Sequence, residues 1–555
     1  MLLEVQLIRI SFTEKEKINI DAIKNIAAKK MGIGADMIRS AEIKKLSLDA
    51  RKKDDIRYVY GVDIEVGNED KVLRKCRIRN AVKTVPVAYK DPACDPLFSN
   101  SVITGNENKT SEARNPGFAR PVIVGFGPAG MICAYKLAKA GFKPIVLERG
   151  CDVDTRMADV KCFFETGKLK TNSNVQFGEG GAGTFSDGKL NTMIHDNVGR
   201  ISHVFDILVE FGADPSVRYI NKPHIGTDRL TVIVKALREK IIELGGEVRF
   251  NSTFMGFEQK DCKIKAAIVN DSERIPCDTL VLATGHSARD TVRMLVSKGL
   301  EIERKAFAMG VRVEHPQELI SRAMYGDGYK KYPPADYKLT YKTAEGRGVY
   351  SFCMCPGGVV VNASSEKGRL CVNGMSYSKR DECTANSAIV VEIRESDLEG
   401  NDILAGMKFQ ENLEQKAFDA CDGKIPVSYV SDFLAGKGTV SLDGRKPNTR
   451  GAYAPGNMYE ILPKLIYEPI KEALPCFDKT INGFAGEEAV MLAVESRTSS
   501  PVRILRDSET LCAKGFDGLY PCGEGAGYAG GITSAAVDGL KVYEEIVRKY
   551  MLRDQ

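Results

Sequence analysis

Residues 121–148 read Pro-Val-Ile-Val-Gly125-Phe126-Gly127-Pro128-Ala129-Gly130-Met-Ile-Cys-Ala134-Tyr-Lys-Leu-Ala-Lys-Ala-Gly-Phe-Lys-Pro-Ile-Val-Leu-Glu148. The Val-Ile-Val run predicts a buried strand that enters a glycine-rich turn. MICAYKLAKAG predicts a helix with an apolar stripe, and KPIVLE a second buried strand. Strand, helix and strand in this order require a parallel pair with a right-handed crossover. Gly125 permits the tight turn, Gly127 lets the backbone approach a pyrophosphate, and Gly130 lets helix and strand pack closely. Phe126, Pro128 and Ala129 fill the rest of the turn. The pyrophosphate would sit on the helix N-terminus, where unpaired N–H groups and the dipole favour negative charge. Glu148, eighteen residues after Gly130, would accept hydrogen bonds from the ribose hydroxyls and repel a 2′-phosphate; Arg149 follows it. Three glycines after a strand are a weak signal alone, but here strand, glycines, helix and terminal acid are in register.

Other stretches extend the pattern. CDTLVLATGH (277–286) is a buried strand that ends in Ala283-Thr284-Gly285. In flavoproteins of the two-dinucleotide-binding type, such a turn returns the chain to the cofactor. Gly518-Leu-Tyr-Pro-Cys-Gly523-Glu524 resembles their second flavin motif, in which an acid binds the ribityl chain. Most carry Asp there, and this chain has Glu524. Gly530-Gly531-Ile532-Thr533 opens a final helix whose N–H groups would face the flavin pyrimidine edge. Between these, Phe177-Gly-Glu-Gly180-Gly181-Ala182-Gly183-Thr184-Phe-Ser-Asp187-Gly-Lys189-Leu190 lacks GxxxxGK[ST], so a nucleotide triphosphatase is not supported. Its small residues would let the backbone lie against a flat ring, with Asp187 and Lys189 as polar handles. Phe254, in the strand region after the second parallel strand, is a further candidate cofactor contact.

The chain resembles the FAD-dependent dehydrogenases also described as NAD(FAD)-utilizing dehydrogenases. The likeness runs through VIVGFGPAGM, FGEGGAGTFSDGKL, VLATGHSARD, FAMGVRVEHPQ, FCMCPGG, VNGMS, ESRTSSPVRI and CGEGAGYAGGITSAAVDGL, which together cover most of residues 120–545. More distantly, the layout is similar to glutathione-reductase-type flavoproteins and to flavin-dependent reductases of unsaturated substrates. The resemblance implies FAD as cofactor and redox chemistry, and it carries no substrate with it.

The expected fold is therefore α/β: a Rossmann-like FAD-binding domain with an inserted α+β substrate or cap domain and a small N-terminal α+β domain. At roughly 100–200 residues per domain, 555 residues allow three or four. The expected boundaries are an N-terminal module over 1–97, a polar linker over 98–118, the FAD-binding domain over 119–300, the insertion over 301–485, and the return to the FAD-binding domain over 486–555. In the module, LEVQLIRISF and IRYVYGVDIEV read as strands. AIKNIAAKKMG reads as a helix capped by Asp21 and ended at Gly32.

Composition excludes several classes. With 43% hydrophobic and 28% charged residues, the chain is neither disordered throughout nor collagenous nor a coiled coil. No apolar run reaches about 18 residues, so no membrane-spanning helix is expected. The first residues lack the pattern of a secretory signal, and the cytoplasm is the expected compartment. The fifteen cysteines show no framework and no CxxC pair. Reduced, mostly buried thiols are expected, including Cys353 and Cys355, whose CxC spacing could close into a strained disulfide. The five histidines have no zinc spacing, so no metal is expected. Residues 1–95 hold 20 Lys+Arg against 15 Asp+Glu, and the remainder is neutral. The acids are interleaved with the bases, which reads as a solvated surface rather than a nucleic-acid site.

The expected function is an FAD-dependent oxidoreductase passing hydride through flavin N5 between NAD(P)H or another donor and a small-molecule substrate. No second GxGxxG lies in 301–485, so NAD(P)H is a candidate for transient binding only. Two alternatives stay open: a flavoprotein acting on RNA, in the manner of tRNA-modifying enzymes, through the basic N-terminal module, or an electron-transfer flavoprotein serving a protein or quinone partner. The oligomeric state is left open. Arg497 is the candidate substrate clamp, because a guanidinium pairs a carboxylate in a bidentate way. A structural ion pair is its other reading. His286 and His315 are candidate proton donors, with a structural role the favoured reading for each.

Overall fold

Short apolar runs whose residues alternate between two faces build the central sheet. Val122–Val124, Ile145–Leu147, Leu280–Leu282, Glu247–Arg249 and Leu519–Pro521 form five strands in the order 519–521, 280–282, 122–124, 145–147, 247–249, and every neighbouring pair is parallel. Ile123, Val146, Val281 and Tyr520 point to one side, into a core shared with the helices Pro128–Lys139, Thr227–Glu243 and Ile532–Arg553. Val122, Val124, Ile145, Leu147 and Leu282 point to the other, against a three-stranded antiparallel sheet (Phe254–Lys260, Lys263–Val269, Glu273–Pro276) and the helix Arg289–Ser297. The computed structural model describes residues 2–11, 19–76, 81–95 and 119–553. The linker expected over 98–118 lies outside the described residues.

The fold is α/β and Rossmann-like, as the glycine fingerprint implies. Two stretches rich in strand-forming residues divide between sheets. EVRFNSTFMGFEQ gives the last parallel strand and then, after Asn251 at φ 53, the first strand of the antiparallel sheet. RIPCDTLVLATG likewise gives Glu273–Pro276 and Leu280–Leu282. Alternation alone cannot tell that a strand changes partners at a turn.

The chain leaves the parallel sheet after Leu282 and returns at Leu519. Between them, Phe307–Pro316, Thr384–Ile393 and Val490–Glu495 form the middle of a seven-stranded sheet. The alternation of Phe307–Pro316 separates two faces. Met309, Val311 and Val313 pack with Ile466, Ile470, Leu474 and Phe477 of the helix Lys464–Thr480. Ala308 and Arg312 lie on the opposite face, and Ala388 and Asn386 of the neighbouring strand join them there.

At the N-terminal end, Ile38–Asp49, Arg57–Val66, Leu2–Ser11 and Ala81–Thr84 form a four-stranded antiparallel sheet in that order. The helix Ile20–Met31 packs on it through Ile23, Ala27 and Met31. Its cap is Asn19, not Asp21. The Asn19 side chain accepts from Ala22 N at 2.8 Å, so Asp21 falls inside the first turn, where its charge suits the dipole. Gly32 ends the helix at φ 72, as the sequence implies. Leu46 pairs with the chain near Tyr219, its N–H bonding Tyr219 O at 2.7 Å. Asp91 takes an ion pair from buried Lys136 and a hydrogen bond from Tyr543 Oη at 2.5 Å. All fifteen cysteines are free, and six are buried, fewer than expected. No helix among the described residues is long and apolar enough to cross a membrane.

Candidate functional site

Gly125 turns the chain at the end of its strand with φ 95. A Cβ there would stand 2.4 Å from Ala283 O, so the fingerprint turn and the 283–285 turn touch backbone to backbone. A Cβ on Gly130 would meet Gly125 O at 2.0 Å, which packs the helix onto its own turn. Gly127 differs. Its φ is −82, it caps the helix with no side-chain partner, and a Cβ would find only Gly181 Cα at 3.8 Å. The space above the helix N-terminus is open because two glycine-rich loops face each other there.

The second loop is held by buried polar groups. Glu148 Oε2 accepts from Phe126 N at 2.9 Å, and Oε1 from Gly150 N at 2.9 Å and Gly178 N at 3.0 Å. The carboxylate thus joins both loops while it lines the cleft. Arg156, fully buried, donates to the carbonyls of Asn174, Val175, Gly178 and Glu179. Burial pushes its guanidinium down to about 10, with Glu148 and Glu179 opposing. Nothing in the sequence around Arg156 marks it.

One cleft brings together most of the predicted residues: Gly125–Ala129, Glu148, Arg149, Gly181–Gly183, Asp187, Phe254, Ala283–Gly285, Glu524 and Gly530–Ile532. Gly130, Gly180, Thr184 and Gly523 do not line it. Gly180 and Thr184 lie behind, in a small apolar cavity beside the helix Thr227–Glu243. Gly523 gives its N–H to Asp538 at 2.8 Å. Arg149 reaches outward to Asp290 at 2.9 Å and stacks over Phe177. Asp187 is buried and paired with Arg380 and Ser376. Lys189 gives its ammonium to Met354 O.

The far wall is formed by Phe352, Cys353 and Asn373 of the insertion together with Glu495, Arg497 and Thr498, which lie past its expected end at 485, at and just after the strand Val490–Glu495 of the same seven-stranded sheet. Arg497 lines the cleft, and its guanidinium is committed to protein acceptors. Nε and Nη2 grip Glu414 at 3.0 and 2.9 Å, and Nη1 reaches Ser287 and Ser365 at 3.1 and 2.5 Å. The fork expected to meet a substrate carboxylate meets Glu414. Arg289 grips the same carboxylate from its other side, at 2.8 Å to each oxygen. Burial alone would raise the Glu414 pKa, but the two guanidiniums outweigh it and hold it far below the usual carboxylate range. Glu414 is marked by no motif, and Arg289, though it lies in VLATGHSARD, carries no local sign of its partner, since the pair is assembled from segments over a hundred residues apart.

His286 lines the cleft, with Nδ1 2.8 Å from Glu524 Oε1 and Nε2 buried without a partner. Glu524 thus enters the cleft already engaged. His315 is fully buried in the large sheet, its Nε2 2.7 Å from Phe484 O, and is absent from the cleft wall. Among the described residues no cluster could hold a metal ion.

The residues fit a flavin dinucleotide. Glycines clear a helix N-terminus for a pyrophosphate, an acid stands at the ribose end of the fingerprint, and the buried His286 Nε2 on the cleft wall has no protein partner. Residues 306–498 match the family model described as FAD-dependent protein, C-terminal domain-like, and residues 4–65 match a domain of unknown function. The cofactor is FAD. Among solved structures the chain is similar to a mutant of the halogenase PltM in complex with FAD (10% identity, TM-score 0.36, covering 79% of this chain and 70% of that one). It is also similar to a geranylgeranyl bacteriochlorophyll reductase-like protein of Thermoplasma acidophilum (13% identity, TM-score 0.36, covering 79% and 83%). An uncharacterized protein of Clostridium beijerinckii is 45% identical over 539 residues, 96% of this chain and 97% of that one. The chain belongs to one family with that Clostridium protein, and carries the FAD-dependent protein C-terminal domain-like region over residues 306–498.

Proposed function

We propose that the protein is an FAD-dependent oxidoreductase of the NAD(FAD)-utilizing dehydrogenase type, which passes a hydride equivalent between NAD(P)H or another donor and a small-molecule substrate. The observation that carries this reading is the continuity of one cleft from the glycine fingerprint to the polar wall of the insertion. Bound FAD supplies two-electron chemistry at its flavin ring. The chain's own residues do the rest. The N-terminus of Pro128–Lys139, kept open by Gly127 and Gly181, receives a pyrophosphate. Glu148 fixes both loops around it. The N-terminus of Ile532–Arg553 presents unpaired N–H groups to an electron-rich edge. The insertion excludes water from the remaining face, where Asn373 and Cys353 are the polar groups nearest a substrate. Arg497 acts there through Glu414, Ser287 and Ser365 as a tie between the two domains.

The test begins with the absorbance spectrum of the purified protein, which should show a flavin band and release FAD on denaturation. Anaerobic mixing with NADH and with NADPH should then bleach the band with one of them. A colourless protein that FAD does not reconstitute overturns the reading; bleaching by neither nucleotide removes NAD(P)H as donor.

A further inference from the structure

Cys353 stands on the cap wall of the cleft, and Cys355, two residues on, is fully buried. The strand Gly348–Cys355 slips against Thr384–Ile393 between Phe352 and Cys355, and Cys353 takes φ 43 within the slip. This places Cys353 on the cleft wall beside Phe352 and Asn373, with Cys355 buried behind it. The Cys355 thiol donates to the Cys353 carbonyl at 3.4 Å. Arg312 holds the same carbonyl at 3.2 and 3.3 Å and lies 3.9 Å from Cys355 Sγ. Lys189 bonds the carbonyl of Met354 between the two cysteines. The Cys-Met-Cys segment is thus bracketed by two cations.

The other buried thiols behave differently. Burial pushes Cys133, Cys277 and Cys371 up. Cys353 is held below the ordinary thiol range by a hydrogen bond from Cys355, then by Arg312 and Lys189, against its own burial. Cys355 is pushed the other way by its neighbour and by burial, and keeps its proton. A thiolate that is accessible from a cleft, with a protonated second thiol beside it, is the arrangement of an attacking and a resolving cysteine. A bridge across a single intervening residue is strained, and strained bridges are the readily reduced ones.

We propose that Cys353 and Cys355 form a redox pair that exchanges two electrons with the FAD of this cleft, cycling between two thiols and one disulfide; the proposal rests on the flavoprotein reading above. In the oxidising direction the Cys353–Cys355 S–S bond forms, the two sulfurs give up two electrons, and Cys355 releases its proton to solvent. Bound FAD is the acceptor of both electrons. In the reducing direction the same two electrons return, the S–S bond breaks, and Cys355 takes its proton back. The pair gives the enzyme a sulfur route for electrons between the flavin and a disulfide or other electrophilic substrate on the cap side.

The holoprotein tests this directly. It is oxidised with diamide, freed of reagent, and its flavin is reduced by light and EDTA under argon. Thiols are then alkylated and the tryptic peptide 348–367, which holds only these two cysteines, is weighed. Before illumination the peptide should be lighter by two hydrogens and resist alkylation; after it, both cysteines should be alkylated. Protein stripped of FAD and treated identically should keep the disulfide. Cys355→Ser should keep its flavin band and show Cys353 alkylated with or without light. Two alkylated cysteines before illumination, or a disulfide that survives flavin reduction, overturns the proposal while leaving FAD binding intact. A protein that holds no FAD overturns both readings, and the spectrum taken first tells the cases apart.

Discussion

Glu148 Oε1 accepts a hydrogen bond from the backbone N–H of Gly178 at 3.0 Å, so the acid that ends the second parallel strand is fastened to the second glycine-rich loop thirty residues on. Its other contacts, to Phe126 N and Gly150 N, complete a three-way tie. A residue expected to read a ribose also sets the shape of the cleft that would contain it. Glu148→Ala leaves three buried N–H groups without an acceptor. FAD affinity should fall by about 1–3 kcal/mol, roughly five- to 150-fold. Glu148→Gln keeps one carbonyl oxygen and should fall between. Titration of apoprotein with FAD reads both; equal dissociation constants for Glu148→Ala and wild type refute the tie.

Gly125 and Gly127 should separate folding from cofactor binding. Gly125→Ala drives a methyl against Ala283 O at 2.4 Å in a left-handed backbone and should lower the unfolding midpoint and abolish the flavin band together. Gly127→Ala adopts an ordinary φ of −82 and meets no atom closer than 3.8 Å. Its thermal stability should hold, or rise by about 0.4–1 kcal/mol, while the methyl occupies the pyrophosphate's approach and FAD binding weakens. Thermal melts of the apoproteins, paired with FAD titrations, check this; loss of stability in Gly127→Ala would show that the turn, not the cleft, needs that glycine.

Glu414 should dominate the acid limb of stability. Its folded pKa lies far below its unfolded value, which is near 4.5. A depressed carboxylate stabilises the fold above the unfolded pKa, and that contribution is lost as pH falls toward the folded one. Glu414→Gln leaves Arg289 and Arg497 buried with only Glu366, 3.0 Å from Arg289 Nη1 and 3.7 Å from Arg497 Nη2, as counter-charge. It should cost about 3–5 kcal/mol at neutral pH. The gap to wild type should narrow as pH drops below about 4.5. Urea unfolding at several pH values measures it. A gap constant across that range would mean that the two arginines draw their compensation from Glu366 instead.

The cofactor half of the fold is legible because its constraints are local. Gly125 and Gly130 are each required by atoms within a few residues or by one crossing turn, and Gly127 by the opening left above the helix N-terminus, so spacing reports them. The insertion is less legible. Arg312, Asn386 and Glu495 meet on one sheet face only after three distant strands pair. Glu414 and Arg289 meet only when the helix Ala405–Ala420 docks on the 283–289 turn. Asp21 looked like a cap because its type fits, but Asn19 has the better offset for the third N–H. Contacts that depend on tertiary closure leave no period or motif to read.

Arg156 offers the sharpest test of that unread layer. Its guanidinium spans four carbonyls of residues 174–179 with Nε, Nη1 and Nη2, and stacks over Phe185. Only a planar fork of five donors can do this; an ammonium is one compact charge with three donors on a flexible stem. Arg156→Lys should therefore behave like a loss rather than a conservative change. Two or more of those carbonyls lose their partner in the buried interior, at about 1–3 kcal/mol each before water enters. The loop carries Gly178 and Gly181, so its loosening releases Glu148 and widens the gap facing Gly127. FAD affinity should drop at least tenfold in Arg156→Lys, and amide exchange over residues 174–183 should become faster. Lys170→Ala, whose side chain is largely solvent-exposed and reaches only Asp159 from outside the loop, should change neither readout. If Arg156→Lys binds FAD as wild type does, the loop is held by its glycines and Glu148 alone, and the buried arginine serves the helix Val153–Thr166 instead.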